Sequence, residues 1–256
     1  MEFVAKRCLS ASWELMASPQ TLGMSWQELY ASPENIVRFA LAEKNMRKKD
    51  FCRLPFCHTL EAEALGARIT LGDDTAGTRA GKPMLTSTRE VLALTADFAG
   101  SPRIRHMLEA TRLLSAVHKQ VVFCLTGPLS TLSCLVDTRV IFREWRRDPE
   151  LARAVLAHLA KELAPLAQEA CAAGASALEY ADPPAAPTLV GPAFAERIWR
   201  DYSQGFLAQI VETRPDMPVI VCPLVAPSAR EVADQQIMQQ VHACCLGRLS
   251  QMSVLK

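Results

Sequence analysis

The chain has 256 residues, half of them apolar, and its 28 basic side chains nearly balance 27 acidic ones for a net charge of +1. The length accommodates one large domain or two small ones, and the apolar share supports an ordinary buried core. Near-neutrality removes the electrostatic reason to expect nucleic acid or an anionic membrane as partner.

The opening segment, "MEFVAKRCLSASWELM", carries Glu2 and has no continuous apolar core. A secretory leader is therefore not expected, and the nine scattered cysteines read as reduced thiols in the cytoplasm. Residues 1–50 read as a helical extension, with Ser32, Pro33 and Glu34 opening one helix in capped form. "FCRLPFCHTLEAEALGA", residues 51–67, reads as a short strand that runs through Cys57 and His58 into a helix ended by Gly66. Glu61 and Glu63 stand two apart and so share no helix face; a solvated surface is expected for either.

"QVVFCLTGP", residues 120–128, reads as a buried parallel strand stopped by Gly-Pro. The uncharged run from Gln120 to Val136 continues past it, but its Gly127, Pro128 and hydroxyls make it a strand plus a turn, not a membrane span. A long helix follows: Asp148 is its N-cap, Pro149 its first residue, and Leu151, Val155, Leu159, Leu163, Ala167 and Ala170 its apolar stripe, with Gly174 as the stop. Pro165 inside it predicts a kink or a division into two helices. "SALEYAD" is a further strand. "GPAFAERIWRDYSQGFLAQIVETRP" is one helix with Phe194, Ile198, Tyr202, Leu207 and Ile210 toward the core, "MPVIVCP" a third clear strand, and "SAREVADQQIMQQVHACCLG" a last helix.

Strands alternating with helices of this length mean βαβ units and a parallel sheet. No GxGxxG follows the first strand and no GxxxxGK[ST] occurs, so nucleotide-binding open sheets lose weight and an α/β fold of (β/α)8 TIM-barrel type gains it. About four or five βα units are legible where a closed barrel needs eight, so a single barrel domain over 1–256, incomplete at its C terminus, is expected. The strand edges left open would leave pairing with another chain available.

"PFCHTLEAEALGARITLGDD", "LTGPLSTLSCLV", "FREWRRDPELARAVLAHLAKELAPLAQEACAAGASALEYADP" and "GPAFAERIWRDY" together resemble, in order and spacing, the uroporphyrinogen decarboxylase superfamily. The resemblance covers about residues 33–223 and implies a (β/α)8 barrel with its site at the C-terminal ends of the strands. Two branches are open. The decarboxylases carry an aspartate after the first strand that meets the pyrrole nitrogens; aligning back from Ala64-Leu65-Gly66 puts Cys57 there, and a thiol supplies no fixed negative charge to four N–H donors. Their arginine-bearing N-terminal motif is also missing from residues 1–30. The other branch, the cobamide-dependent methyltransferases, carries a methyl group from a corrinoid protein to a small thiol or related acceptor. It uses zinc to hold that acceptor as the thiolate. Cys222 of "PVIVCPLVAP" matches the zinc-binding cysteine of that branch, whereas the histidine position holds Ile220. The branch's late cysteine would fall beyond the last residue, and Cys244 and Cys245 lie on or after a predicted helix instead.

The resemblance therefore implies a corrinoid-dependent methyltransferase in which Cys222 binds zinc, Asp182 supports the site, and Cys57 and His58 line it. Uroporphyrinogen decarboxylation is the alternative chemistry, and an incomplete barrel that binds a tetrapyrrole or a partner without turnover is the alternative class. Simpler readings stand beside each residue. Cys57 and His58 are also ordinary loop residues, Asp182 also suits a turn cap, and Cys222 also suits an inert buried thiol. His106, His118 and His158 read as surface or packing residues. His242 and Cys245 stand at i and i+3, which can chelate, but without a second pair.

Overall fold

In the computed structural model, residues 17–73, 76–118 and 120–221 are described. Ser25 opens α1, Trp26–Ala31, through a capping box with Glu28. Ser32 then caps α2, Pro33–Met46, by accepting from the Asn35 N–H. Strand β1, Cys52–Leu54, is followed by the short helix α3, Leu60–Ala64. A two-stranded antiparallel arm, β2 (Ile69–Thr70) with β3 (Arg79–Ala80), projects from the connection that follows. Helix α4, Pro102–Val117, returns the chain to β4, Val121–Thr126. Then come α5, Pro128–Leu135, α6, Thr138–Arg147, and α7, Pro149–Ala172, before β5, Ala177–Ala181. Helix α8, Pro187–Val190, α9, Pro192–Ile198, and α10, Gln204–Thr213, lead to β6, Val219–Val221.

The four long-range strands form one parallel sheet in the order β1-β4-β5-β6. This is the TIM-barrel type of fold; among the described residues the sheet does not close. Tyr180 packs on Phe206 of α10, with ring centroids 6.1 Å apart, so alternate residues of β5 face the helical layer. The opposite face carries Glu179, fully buried, whose carboxylate accepts from Arg53 of β1 at 2.9 Å and from the Cys124 thiol of β4 at 2.9 Å. A barrel interior is ordinarily filled with branched apolar side chains, so this charged layer is a departure that composition and periodicity did not signal.

Three sequence expectations change. The segment after β4 is not a turn but α5, because Pro128 occupies a first-turn position where its missing N–H costs nothing. Pro165 neither ends nor divides α7, which runs unbroken through it. Pro165 and Lys161, four residues earlier, are both exposed, so the carbonyl that loses its partner faces water. The helix expected over 191–215 exists as α9 and α10 joined by a π-helical turn, Trp199–Ser203. That wider turn lets Trp199, Tyr202 and Ser203 all face inward, where Ser203 meets the Tyr180 hydroxyl at 2.6 Å. The helix expected over 228–247 lies outside the described residues.

Candidate active site

The C-terminal ends of β1, β4 and β5 open into a cleft of about 1010 Å³. Cys57, His58 and Thr59 form one wall, Ser130, Ser133 and Cys134 of α5 another, and Pro183 and Pro184 a third. The arm between β2 and β3 covers it with Asp73, Thr78 and Arg79. Gly72 is what lets the arm sit down: its φ is +134°, and a Cβ there would lie 2.5 Å from the Trp26 ring. Trp26 completes the seat by donating its indole N–H to the Asp73 carbonyl at 3.1 Å.

Cys57 is buried, yet it is among the residues that line the cleft. It accepts from Arg103 Nη1 at 3.1 Å and lies 3.2 Å from the Thr59 hydroxyl. Arg103 is itself only 5% exposed. Its other donors reach Thr59 at 2.9 Å and Glu63 at 2.5 Å, and its guanidinium lies 5.3 Å from the centre of the Tyr30 ring. Burying a guanidinium is costly unless every donor is matched and a counter-charge is near, and Glu63 supplies the charge. Burial pushes the Tyr30 hydroxyl pKa up, so it stays neutral beside this cluster.

His58 stands next to Cys57 with Nδ1 3.5 Å from the Thr126 hydroxyl at the end of β4. Burial, and then the positive charge of Arg53, hold its pKa well below the ordinary histidine range. His58 therefore presents a neutral imidazole to the cleft. Glu61, one turn along, is not on a solvated face as expected from spacing. It is 2% exposed, and Oε1 accepts from the Thr126 N–H at 2.6 Å while Oε2 has no partner. Burial raises its pKa.

Asp182 follows β5 and is fully buried. It does not reach into the cleft but under it. Its carboxylate accepts from the Leu129 N–H at 3.1 Å, the Ser130 N–H at 2.8 Å and the Ser130 hydroxyl at 2.7 Å. It thereby caps the first turn of α5, a neighbouring element rather than its own turn. Burial pushes its pKa up to about 6 against those three donors. Gly127 permits the approach, since a Cβ there would lie 2.4 Å from Asp182 Cβ.

Zinc can be tested against these residues. Among the described residues no three histidine, cysteine, aspartate or glutamate side chains stand close enough to hold a metal ion. Ile220 pairs with Glu179 in the sheet and offers no donor atom. Cys222, like His242, Cys244 and Cys245, lies outside the described residues. The described residues by themselves thus do not fit zinc. His106 and His158 are packing residues: their ring nitrogens reach the carbonyls of Tyr30 at 2.9 Å and Leu94 at 2.8 Å. No helix among the described residues is long and apolar enough to cross a membrane.

Sequence reading placed Cys57 and His58 at the strand end but missed Arg103, Thr126 and the arm. Arg103 did leave a signal. It sits in the first turn of α4, where a cation opposes the helix dipole, and such a local conflict marks a residue held by something else.

A parallel α/β sheet of TIM-barrel type with a polar cleft at its C-terminal edge defines a large class of barrel enzymes. Within that class, the uroporphyrinogen decarboxylase (URO-D) family model matches residues 14–233, and the chain belongs to this family. It is similar to the methylcobamide:CoM methyltransferase MtaA of Methanosarcina barkeri, at 24% identity over 197 residues. The same protein of M. barkeri strain Fusaro / DSM 804 matches equally. The chain spans 57% of the length of these relatives, and 74% of the chain is matched. A solved methyltransferase from Methanosarcina mazei superposes with a TM-score of 0.67 at 24% identity, covering 87% of this chain and 65% of that one.

Proposed function

We propose that this chain is a methyltransferase that moves a methyl group from a methylated corrinoid protein to a small thiol or related acceptor in the cleft at the ends of β1, β4 and β5. The observation that carries this reading over decarboxylation is Cys57. At the strand end where the decarboxylases place an acid, the chain carries a cysteine whose sulfur accepts from Arg103. The one carboxylate lining the cleft among the described residues, Asp73, is paired with Arg79 at 2.5 Å. Four pyrrole N–H groups would find no free acid there. The similarity to methylcobamide-dependent relatives supports the same branch.

Transfer to a thiol forms a sulfur–carbon bond, breaks the cobalt–carbon bond, leaves both electrons of that bond on cobalt and releases the thiol proton. The residues present set the surroundings of that step. Neutral His58 lines the cleft without adding charge, Thr59, Ser130 and Ser133 line it with hydroxyls held by Arg103, Asp182 and the Ser130 carbonyl, and the arm and Pro183-Pro184 border it. Asp182 supports the site by fixing the first turn of α5, which carries Ser130.

The test is loss of methylcobalamin absorbance with 2-mercaptoethanol or 2-mercaptoethanesulfonate as acceptor, beside a uroporphyrinogen decarboxylation assay. Thiol-dependent demethylation, reduced in Cys57→Ser and His58→Ala, and no porphyrinogen turnover are expected; the reverse pattern would assign the decarboxylase reaction. A second reading draws on the lack of a three-ligand set among the described residues: a barrel that binds a tetrapyrrole or partner without turnover. Zinc content of the full chain and of Cys222→Ser separates the two. About one zinc per chain that disappears in the variant favours transfer to an activated thiol, and none in either favours binding alone.

A further inference from the structure

The chain is electrically near neutral as a whole, yet one helix is not. On α6, Arg139, Arg143, Arg146 and Arg147 recur at i, i+4, i+7 and i+8, which places them along one exposed face. Asp137 pairs with Arg139. Among the described residues no ion pair reaches Arg143, Arg146 or Arg147 (Arg197 of α9, across a groove from them, has none either). Helix dipoles favour Arg146 and Arg147 in the last turn of α6 and Arg197 in the last turn of α9, but not Arg143. Like charges at these spacings repel, so the helix carries them at a cost to itself.

The groove between α6 and the 190–197 segment has a volume of about 370 Å³. Phe142, Val190 and Phe194 line it, with Arg146 and Arg197 on its rims. Its floor is fixed: Phe194 meets Phe142 edge-on at 5.2 Å and stacks on buried Trp145 at 5.8 Å. Arg197 is tied to the floor by a 3.5 Å hydrogen bond to the Trp145 carbonyl. Leu189 stands nearby at 73% exposure. An apolar floor with cationic rims selects an occupant that is anionic and also offers an apolar side chain.

The chain's own outlying segments do not have that character. Residues 222–256 carry Arg230, Arg248 and Lys256 against Glu231 and Asp234, and residues 1–16 carry Lys6 and Arg7 against Glu2 and Glu14. We propose that the α6–α9 groove is a docking site for an acidic, partly apolar segment of another protein, which sets carboxylates against Arg143, Arg146 and Arg197 and an aliphatic side chain against Phe142 and Phe194. This goes beyond the methyl-transfer reading and does not depend on it. A nucleic-acid duplex is the less favoured occupant, because its bases stay stacked inside it and would leave the aromatic floor unused.

The full chain is titrated into a labelled peptide of about 15 residues, four helical turns, with Glu on one face and Leu on the other. Binding read by anisotropy is expected to weaken about tenfold between roughly 0.05 and 0.3 M salt. It should fall by tenfold or more in Arg146→Glu and in Arg197→Glu, both checked for an unchanged circular dichroism spectrum, and be largely kept in Arg146→Lys. A version with Gln for Glu should bind weakly. No binding of the acidic peptide, equal binding of the Gln peptide, or tighter binding of a DNA duplex would overturn the proposal. So would a concentration-dependent dimer in sizing that Arg146→Glu dissolves, which would assign the groove to a second copy of this chain.

Discussion

Asp182 and Glu61 are both carboxylates buried behind the cleft wall, and they are held in opposite ways. Asp182 takes three donors from one helix start. Glu61 takes one, from the Thr126 N–H, and leaves its second oxygen unmatched. The difference teaches that burial alone does not define a role. A carboxylate whose acceptor sites are filled by backbone N–H groups is an anchor, whereas one with an open oxygen is a source of instability that the fold tolerates.

The largest expected effect comes from breaking the anchor. Asp182→Ala leaves two buried N–H groups and a hydroxyl without their acceptor, and should lower the stability seen in urea unfolding by about 3–4 kcal/mol. Gly127→Ala should also destabilise, because the new methyl meets Asp182. The two losses should not add: with Asp182 shortened, much of the clash is gone, and a double-mutant cycle should show coupling well above the scatter for independent sites. Additive losses would mean that Gly127 is there for its own backbone and not for Asp182.

Next comes pH. The folded pKa of Asp182, about 6, lies above its ordinary 3.8, so the folded state holds the proton more tightly than the unfolded chain. That stability is complete below about pH 4 and is lost as pH rises through about 6, a change of about 3 kcal/mol at most. Glu61 acts in the same sense, while the capping carboxylates Glu28, Glu90 and Asp137, whose pKa values are lowered, act in the opposite one. The difference between wild type and Asp182→Asn isolates the effect. A flat difference curve between pH 4 and 7 would show that the three donors outweigh burial.

The smallest effect sharpens the contrast. Glu61→Gln keeps an acceptor for the Thr126 N–H and removes the charge to be desolvated, so at pH 8 it should stabilise by about 1 kcal/mol. If Glu61→Gln instead costs as much as Asp182→Ala, Glu61 is an anchor too and the distinction fails.

Local patterns in the chain were enough for much of the architecture. The α7 stripe from Leu151 to Ala170, the Asp148 cap, the buried run of β4 and the alternation of strand with helix each depend on neighbours within a few turns. The position of Cys57 and His58 after a strand was legible for the same reason. Tertiary structure alone decided the rest. Arg103 reaches Cys57 and Asp182 reaches Ser130 across 46 and 52 residues of chain. Glu61 is buried because α3 packs beside β4 and α5. Those approaches follow from the parallel register of β1, β4 and β5, which places strand ends from distant segments side by side. Helical and strand periods determined from the sequence which residues shared a face of an element. Which elements then met, and so which carboxylate became an anchor and which thiol a cleft wall, was decided by crossover connections that no short-range period encodes.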